Sequence, residues 1–284
     1  MPDRPSLLLV TDHAYQARGR RYCDEDIFLA ARLRERFRLA TCDPRDALGL
    51  LDRFDAVLVR NSGPVLGYAR EHAAFAAAAL ARGARVYNQL AGRGDMAGKQ
   101  YLLDLTAAGF PVIPTVDRRE RLDRLPDVDQ YVVKPKLGAD SIGLEVVGRE
   151  RLDALAFGDV LVQPRVDFRY EVSFYFVDDV FQYALYAPDP ERRWALERYE
   201  PSDADLRFAR RFVDWNGLEH GIQRVDACRA PDGELLLVEL EDLNPYLSLD
   251  LLDAAARDRF VDALTEALER LLACGDACCG RRER

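Results

Sequence analysis

Apolar positions along the chain change their spacing repeatedly, and each change marks an element. Leu7, Leu8, Leu9 and Val10 form an unbroken apolar run closed by Thr11 and Asp12, which is the length and composition of a buried strand. Residues 24–37, DEDIFLAARLRERF, then place their apolar side chains at helical spacing, with Asp24 in the position of a cap. The alternation continues with a strand in RLATCD (38–43), a helix in PRDALGLLDRF (44–54) with Pro44 in its first turn, and a strand in DAVLVRN (55–61). A helix in YAREHAAFAAAALARG (68–83), closed by Gly83, and a strand in ARVYN (84–88) complete it. Strands alternating with helices of this length predict a small parallel α/β unit over residues 1–87. No G-x-G-x-x-G follows the first strand, so the dinucleotide-binding fingerprint is absent.

The pattern then changes character. A helix is expected in MAGKQYLLDLTAAG (96–109), and YVVKPKLGADSIGLEVV (131–147) reads as two strands joined by a glycine-containing turn. DVLVQPRV (159–166) reads as a strand, and YEVSFYFVDDVFQYALYA (170–187) as a hairpin turning at Asp178-Asp179. Beyond it come a helix in DADLRFARRFVDW (203–215), a hairpin from HGIQRVDACR through APDG to ELLLVELE (220–241), and a last helix in DRFVDALTEALERLLA (258–273). There is no internal repeat. Three units are expected: 1–87, 88–160 and 161–284, in a mixed α/β (α+β) fold.

Composition narrows the function classes. The 284 residues are 49% hydrophobic and 31% charged, which is ordinary for a globular protein. A net charge of −9 argues against a nucleic-acid binder. No apolar run approaches the ~18 residues of a membrane span, and MPDRPSLLLVTD meets an Asp too early for a signal peptide, so a cytoplasmic protein is expected. Of the six cysteines, Cys23, Cys42 and Cys228 are scattered as free thiols would be. Cys274, Cys278 and Cys279 sit in a tail whose spacing fits no common zinc pattern.

Chemistry concentrates in two places. In ELLLVELEDLN, a buried-strand pattern runs directly into Glu239, Glu241 and Asp242. Side chains two apart on a strand share a face, and side-by-side carboxylates raise each other's pKa or require a cation. Pairing the hairpin about Pro231–Gly233 brings Asp226 to Glu239 and Glu241, a hard-oxygen set suited to Mg²⁺ ions that also hold phosphate, with Arg224 alongside. In YVVKPKLGADSIG, Lys134 and Lys136 precede a turn containing Gly138, Ala139, Ser141 and Gly143. Ammonium groups and backbone N–H donors placed this way suit phosphate oxygens, although an exposed hairpin with surface lysines would read the same.

The ordered set MAGKQYLLDLTAAGFPVIPT, YVVKPKLGADSIG, LVQPRV…YEVSFYF and QRVDACR…DGELLLVELEDLNP resembles the ATP-grasp superfamily over about residues 85–272, in particular its glutathione-synthetase and RimK-like branch. The resemblance implies an ATP-grasp fold preceded by a pre-ATP-grasp α/β domain. It implies that Lys99 and Lys134 hold ATP phosphates, that the 138–143 turn closes over them, and that Gln163, Pro164, Arg165 and Val166 bind adenine. Glu171 holds the ribose, Asp226 and Glu239 are metal ligands, and Arg224 steadies the acyl-phosphate. Where the family usually has Asn two residues after the Glu, this chain has Glu241, so Glu241 is carried over as a ligand with Asn244 as a further candidate. The cofactors implied are ATP and two Mg²⁺, for which Mn²⁺ can substitute. The activity implied is ADP-forming ligation of a small-molecule carboxylate to an amine. A small-molecule kinase and a non-catalytic ATP-binding module remain alternatives, and a homodimer is compatible with the reading.

Because open α/β sheets bind ligands at the carboxyl ends of their strands, Arg60, Asn61 and Ser62 are candidate substrate contacts, as is Arg193 in DPERRWAL. Of the three histidines, only His220 precedes the carboxylate strand closely enough to approach the site.

Overall fold

The computed structural model describes residues 4–17, 20–60, 65–137, 143–189, 192 and 195–273. Four parallel strands, β1 (Ser6–Val10), β4 (Arg38–Cys42), β5 (Ala56–Val59) and β6 (Val86–Tyr87), form the first sheet in the order β4-β1-β5-β6. Between β1 and α1 (Cys23–Leu33) lies a two-stranded excursion, β2 (Gln16–Ala17) and β3 (Arg20–Arg21). The other helices of this unit are α2 (Ala47–Leu50) and α3 (Ala69–Arg82), the latter ended by Gly83 at φ 61°.

Two boundaries differ from the sequence expectation. Asp24 is not the cap of α1: the helix starts one residue earlier, and Asp24 lies in its first turn bonded to Arg21 at 2.6 Å, where a carboxylate meets the positive end of the helix dipole. The helix expected over 96–109 is broken into a single 3₁₀ turn, Asp95–Ala97, and α4 (Tyr101–Ala107). The break is at Gly98, φ 87°, where a Cβ would lie 2.8 Å from Leu137. Lys99 N–H there donates to Lys136 O at 2.8 Å, so the interruption brings Lys99 against the end of a strand rather than leaving it on a helix face.

That strand, β7 (Gln130–Pro135), is the centre of a three-stranded antiparallel sheet with β8 (Glu145–Gly148) and β9 (Val160–Pro164), backed by α5 (Arg149–Asp153) and its own apolar cluster around Tyr131, Val133, Leu152 and Val162. The third sheet runs β12 (Glu197–Tyr199), β11 (Val180–Ala187), β10 (Tyr170–Val177), β13 (Ile222–Arg229), β14 (Leu235–Glu241), all antiparallel. One of its faces packs on α4 and α6 (Asp203–Asn216) through Phe174, Phe176, Phe212, Val225, Ala227, Leu237 and Leu240. The opposite face contributes Tyr175, Val177, Tyr183, Leu185 and Ile222 to a cluster shared with Leu7, Leu9, Leu29 and Leu33 of the first unit and with Phe260 and Leu264 of α7 (Ala254–Ala273). The last helix therefore seals the first sheet to the third. No helix among the described residues is long and apolar enough to cross a membrane.

Candidate active site

The site forms where β13 and β14 run side by side. Their register pairs Arg224 with Glu241 and Asp226 with Glu239, but then Ala227 with Leu237, so Val238 is an extra residue in β14. This bulge decides which way the carboxylates face. Leu235 and Leu237 point into the α4/α6 core. Strict alternation would send Glu239 and Glu241 after them. One extra residue reverses the phase: Leu240 takes the core position and both glutamates emerge on the other face, beside Arg224 and Asp226.

Arg224 is the hub. Its Nε lies 2.9 Å from Asp226 Oδ1 and its Nη2 2.8 Å from Asp226 Oδ2, a bidentate fork. Nη2 also reaches Glu241, and Nη1 donates to Tyr246 O at 2.9 Å. Glu239 is ion-paired with Lys99. Burial works against the Glu239 carboxylate, but Lys99 and Lys134 outweigh it and hold its pKa below the ordinary value. Glu241 goes the other way: burial, reinforced by Asp226 and Glu239, pushes it up to about 8 against the pull of Arg224 and Lys99. Lys134, buried at the end of β7, has its pKa lowered to about 8 by burial, with Glu239 opposing and Lys99 adding to the shift. Lys99, Lys134, Arg224, Asp226, Glu239 and Glu241, carried on three separate segments, thus meet in one electrostatic cluster.

A buried scaffold supports it. Asp242, fully buried, accepts from Gly94 N–H at 2.9 Å and Met96 N–H at 2.8 Å, while Asp95 accepts from Asp242 N–H at 2.8 Å. Burial, then Asp242 and Glu241, raise the Asp95 pKa well above the carboxylate range. Asn88, also fully buried, donates to Asp242 O and Leu243 O and accepts from Ile222 N–H, tying β6 to both strands of the site hairpin. Asp95 and Asn88 did not stand out in the sequence; Asp242 did, but as one of three carboxylates after a buried strand and not as the anchor of the Gly94–Met96 segment.

Other expected positions fall as follows. Lys136 pairs with Asp117 at 3.1 Å rather than with the carboxylates of the hairpin. Gln163 is buried in β9, donating to Thr115 Oγ1 at 2.8 Å, and Pro164 is buried beside it. Arg165 is exposed with its N–H on Gln130 O, and Val166 is half-buried. Glu171 lies on β10 two residues from Ser173, the partner of Asp226, and so on the same face. Asn244 is half-buried in the segment after β14. Arg60 is corrected: its side chain is 0% exposed, and its donors go to Glu25, Asp26 and Pro245 O, so it offers no surface to a substrate. His220 packs near the Tyr87 ring and its N–H goes to Gln89. Gly138, Ala139, Ser141, Asn61, Ser62 and Arg193 lie outside the described residues, as do Cys274, Cys278 and Cys279.

Among the described residues no three His, Cys, Asp or Glu side chains stand close enough to hold a metal ion as they are. Asp226 and Glu241 are turned to Arg224, and Glu239 to Lys99. The donor set itself, three carboxylates on adjacent strands with no soft ligand, fits a hard divalent cation.

No protein-family model matches the chain. The cycloserine biosynthesis protein DcsG of Streptomyces lavendulae is 30% identical over 208 residues, 60% of this chain and 69% of that one. The crystal structure of D-cycloserine synthetase DcsG superposes with a TM-score of 0.72 at 25% identity, covering 93% of this chain and 99% of the other. A second structure, the ATP-grasp ligase PsnB with a precursor variant, Mg and ADP, gives a TM-score of 0.63 at 18% identity over 94% and 99% of the two chains. The chain belongs to the ATP-grasp superfamily. The ATP-grasp fold is shared with D-alanine–D-alanine ligase from Bacillus anthracis, whose ATP complex superposes with a TM-score of 0.66 at 12% identity over 95% and 97%. Lys134 comes from the three-stranded sheet and the carboxylates from the five-stranded sheet, and Lys99 joins the two, its N–H on Lys136 O and its ammonium on Glu239.

Proposed function

We propose that the protein is an ATP-dependent, ADP-forming ligase that activates a small-molecule carboxylate as an acyl-phosphate and joins it to an amine. The observation that carries this reading is the cluster around Arg224: a half-buried guanidinium held bidentately by Asp226 and bonded to Glu241, beside Glu239, on which Lys99 and Lys134 act. Lys99 and Lys134 hold phosphate oxygens of ATP, with Gln163, Pro164, Arg165, Val166 and Glu171 around the nucleoside and the 138–143 turn over the phosphates. Asp226, Glu239 and Glu241 would hold Mg²⁺, with Asn244 as a further ligand, and the bound metal neutralises phosphate charge. The γ-phosphoryl group passes to a substrate carboxylate oxygen and ADP leaves. The amine then forms the new C–N bond as the C–O bond to phosphate breaks. Arg224 presents a planar fork to the oxygens that gain charge in both steps, so the chain acts by positioning and electrostatics. Likeness to a synthetase of a small amino-acid-like product over nearly the whole of both chains supports a small-molecule substrate pair. The free, buried Cys23, Cys42 and Cys228 fit a reducing, cytoplasmic setting.

The test is incubation with ATP, Mg²⁺ and pooled amino acids, following ADP and product mass together. An amide product with ADP is the expected result. A stable phosphorylated product would make the protein a kinase, and AMP would overturn the scheme.

A further inference from the structure

The segment that follows β14 is held in an unusual way. Three consecutive residues have a main-chain polar group taken by a charged side chain. Pro245 O accepts from Arg60 Nη1 at 3.1 Å, Tyr246 O from Arg224 Nη1 at 2.9 Å, and Leu247 N–H donates to both oxygens of Glu25 at 3.0 and 3.1 Å. Arg60 and Glu25 belong to the first α/β unit, on β5's carboxyl end and in α1. Arg224 belongs to the site. Two arginines from different sheets therefore grip adjacent carbonyls of one short segment.

The grip on the first-unit side is rigid. Arg60 Nη2 lies 2.8 Å from Glu25 and Nε 3.0 Å from Asp26, whose other oxygen accepts from Thr11 Oγ1 at 2.8 Å. Arg60, Glu25 and Asp26 side chains are 0%, 4% and 0% exposed. The Tyr246 ring packs on Tyr22 at 4.8 Å, and Tyr22 on Tyr15 at 5.3 Å, so even the residue whose carbonyl turns to Arg224 is seated on the first unit. Taking three ionised groups out of water is expensive and gives little net stability over an apolar replacement. What such a cluster supplies is a fixed geometry.

We propose that Glu25 and Arg60 are positioning residues: through the 245–247 segment they set the orientation of the Arg224 guanidinium toward the reacting phosphate and carboxylate oxygens. The inference rests on the ligase reading for the role of Arg224, and extends it to two residues that touch neither nucleotide nor substrate. The Asp226 fork fixes one edge of the guanidinium, and the Tyr246 carbonyl fixes the remaining nitrogen. If the segment shifts, that third point of attachment moves while Asp226 stays. A misplacement of about 1 Å at a reacting group costs on the order of 10²-fold in rate.

The experiment uses the full chain with Glu25→Gln and Arg60→Lys, each preserving size and one hydrogen-bond partner. Mg·AMP-PNP affinity is measured by calorimetry, ADP release and amide formation with pooled amino acids by mass, and the Arg224 Nε–H resonance by NMR, assigned from its loss in Arg224→Lys. The expected result is nucleotide affinity within about threefold, kcat lower by about 10²-fold, and a shifted or faster-exchanging Arg224 resonance. A folded variant with unchanged kcat and an unmoved Arg224 resonance overturns the proposal, because a purely structural cluster would lower only the melting temperature. Wild-type hydrogen exchange provides an arm that needs no variant to fold. The Leu247 amide must be protected like those of β13, and exchange at the rate of an open loop overturns the grip. If the wild type makes no amide, the ligase reading fails on that arm while the resonance and exchange arms still decide the positioning.

Discussion

Lys134 carries its ammonium in a buried position, and burial brings its pKa to about 8 instead of the ordinary 10.5. In the free protein it therefore releases its proton as pH rises through about 8, and a bound triphosphate, by favouring the charged form, makes Lys134 take the proton up again. Nucleotide affinity should fall between pH 7 and 9, with proton uptake on binding above pH 8. Titrations in buffers of different ionisation enthalpy check this, and an affinity flat to pH 9.5 would remove Lys134 from the phosphate site. Arg224 makes the complementary case. Arg224→Met should keep ATP affinity within roughly tenfold, about 1.4 kcal/mol, and lose about 10²–10³ in kcat, read by calorimetry beside a product assay. Strand period makes Arg224 and Asp226 legible as one pair and Glu239 and Glu241 as another, and the Pro231–Gly233 turn brings the two pairs onto neighbouring strands; counting alone does not put them on one face, which is the work of the extra residue Val238. Arg60 was not legible. The end of a parallel strand is equally a place for a ligand contact or a buried charge, and what decides it here is Glu25 and Asp26, supplied by a different element 35 and 34 residues away.

At the scale of elements, the longer strands and helices were read correctly in type and order, while the short β2, β3, β12 and α5 and the departures from regularity were not, and those departures build the site. The Val238 bulge turns the glutamates out of the core, and the Gly98 break delivers Lys99. Neither is encoded by propensity; each depends on what packs against the backbone there. The Gly92–Gly94 segment shows the same dependence. A Cβ on Gly94 would lie 2.7 Å from Leu240 O and 3.0 Å from the Asp242 carboxyl, and one on Gly92 2.2 Å from Asp242 Oδ2. Gly94→Ala should therefore cost about 1–3 kcal/mol in urea unfolding and lower activity as well, because Asp242 is anchored by the N–H groups of Gly94 and Met96 immediately beyond Glu241. A stable, fully active Gly94→Ala would mean that this contact is slack. The capping box of α6, Ser202 with Asp205, escaped the sequence reading although both residues are plain in PSDADL; it sets where that helix begins.

Over the whole molecule, the first α/β unit and the five-stranded sheet share one apolar cluster, whereas the three-stranded sheet has a cluster of its own and joins the α4/α6 core through Leu161. The units expected at 1–87 and 161–284 are thus distinct in pattern but joined in packing. Phe260, 1% exposed and edge-on to Tyr183, lies at the junction. Phe260→Ala should cost about 3–5 kcal/mol and lower the melting of both units together. Calorimetry showing the first unit melting alone, unaffected by the change, would contradict a common core. No periodicity within either segment could announce this junction, because a helix's apolar stripe states that it is covered and not by what.

The place of α7 also has a consequence for how the protein is made. Leu7, Leu9, Leu29 and Leu33 leave the ribosome early, yet their cover comes from Phe260, Leu264 and Leu268, made last among the described elements. During synthesis the first sheet and α1 must wait with their shared apolar cluster incompletely covered, through the translation of both later sheets. At about 5–20 residues per second that wait lasts on the order of ten seconds or more. The nascent chain is thus exposed to wrong partners for most of its birth, and slowing translation ahead of α7, or withdrawing chaperones that shield early apolar surface, should lower the yield of folded protein far more than the same change made after it.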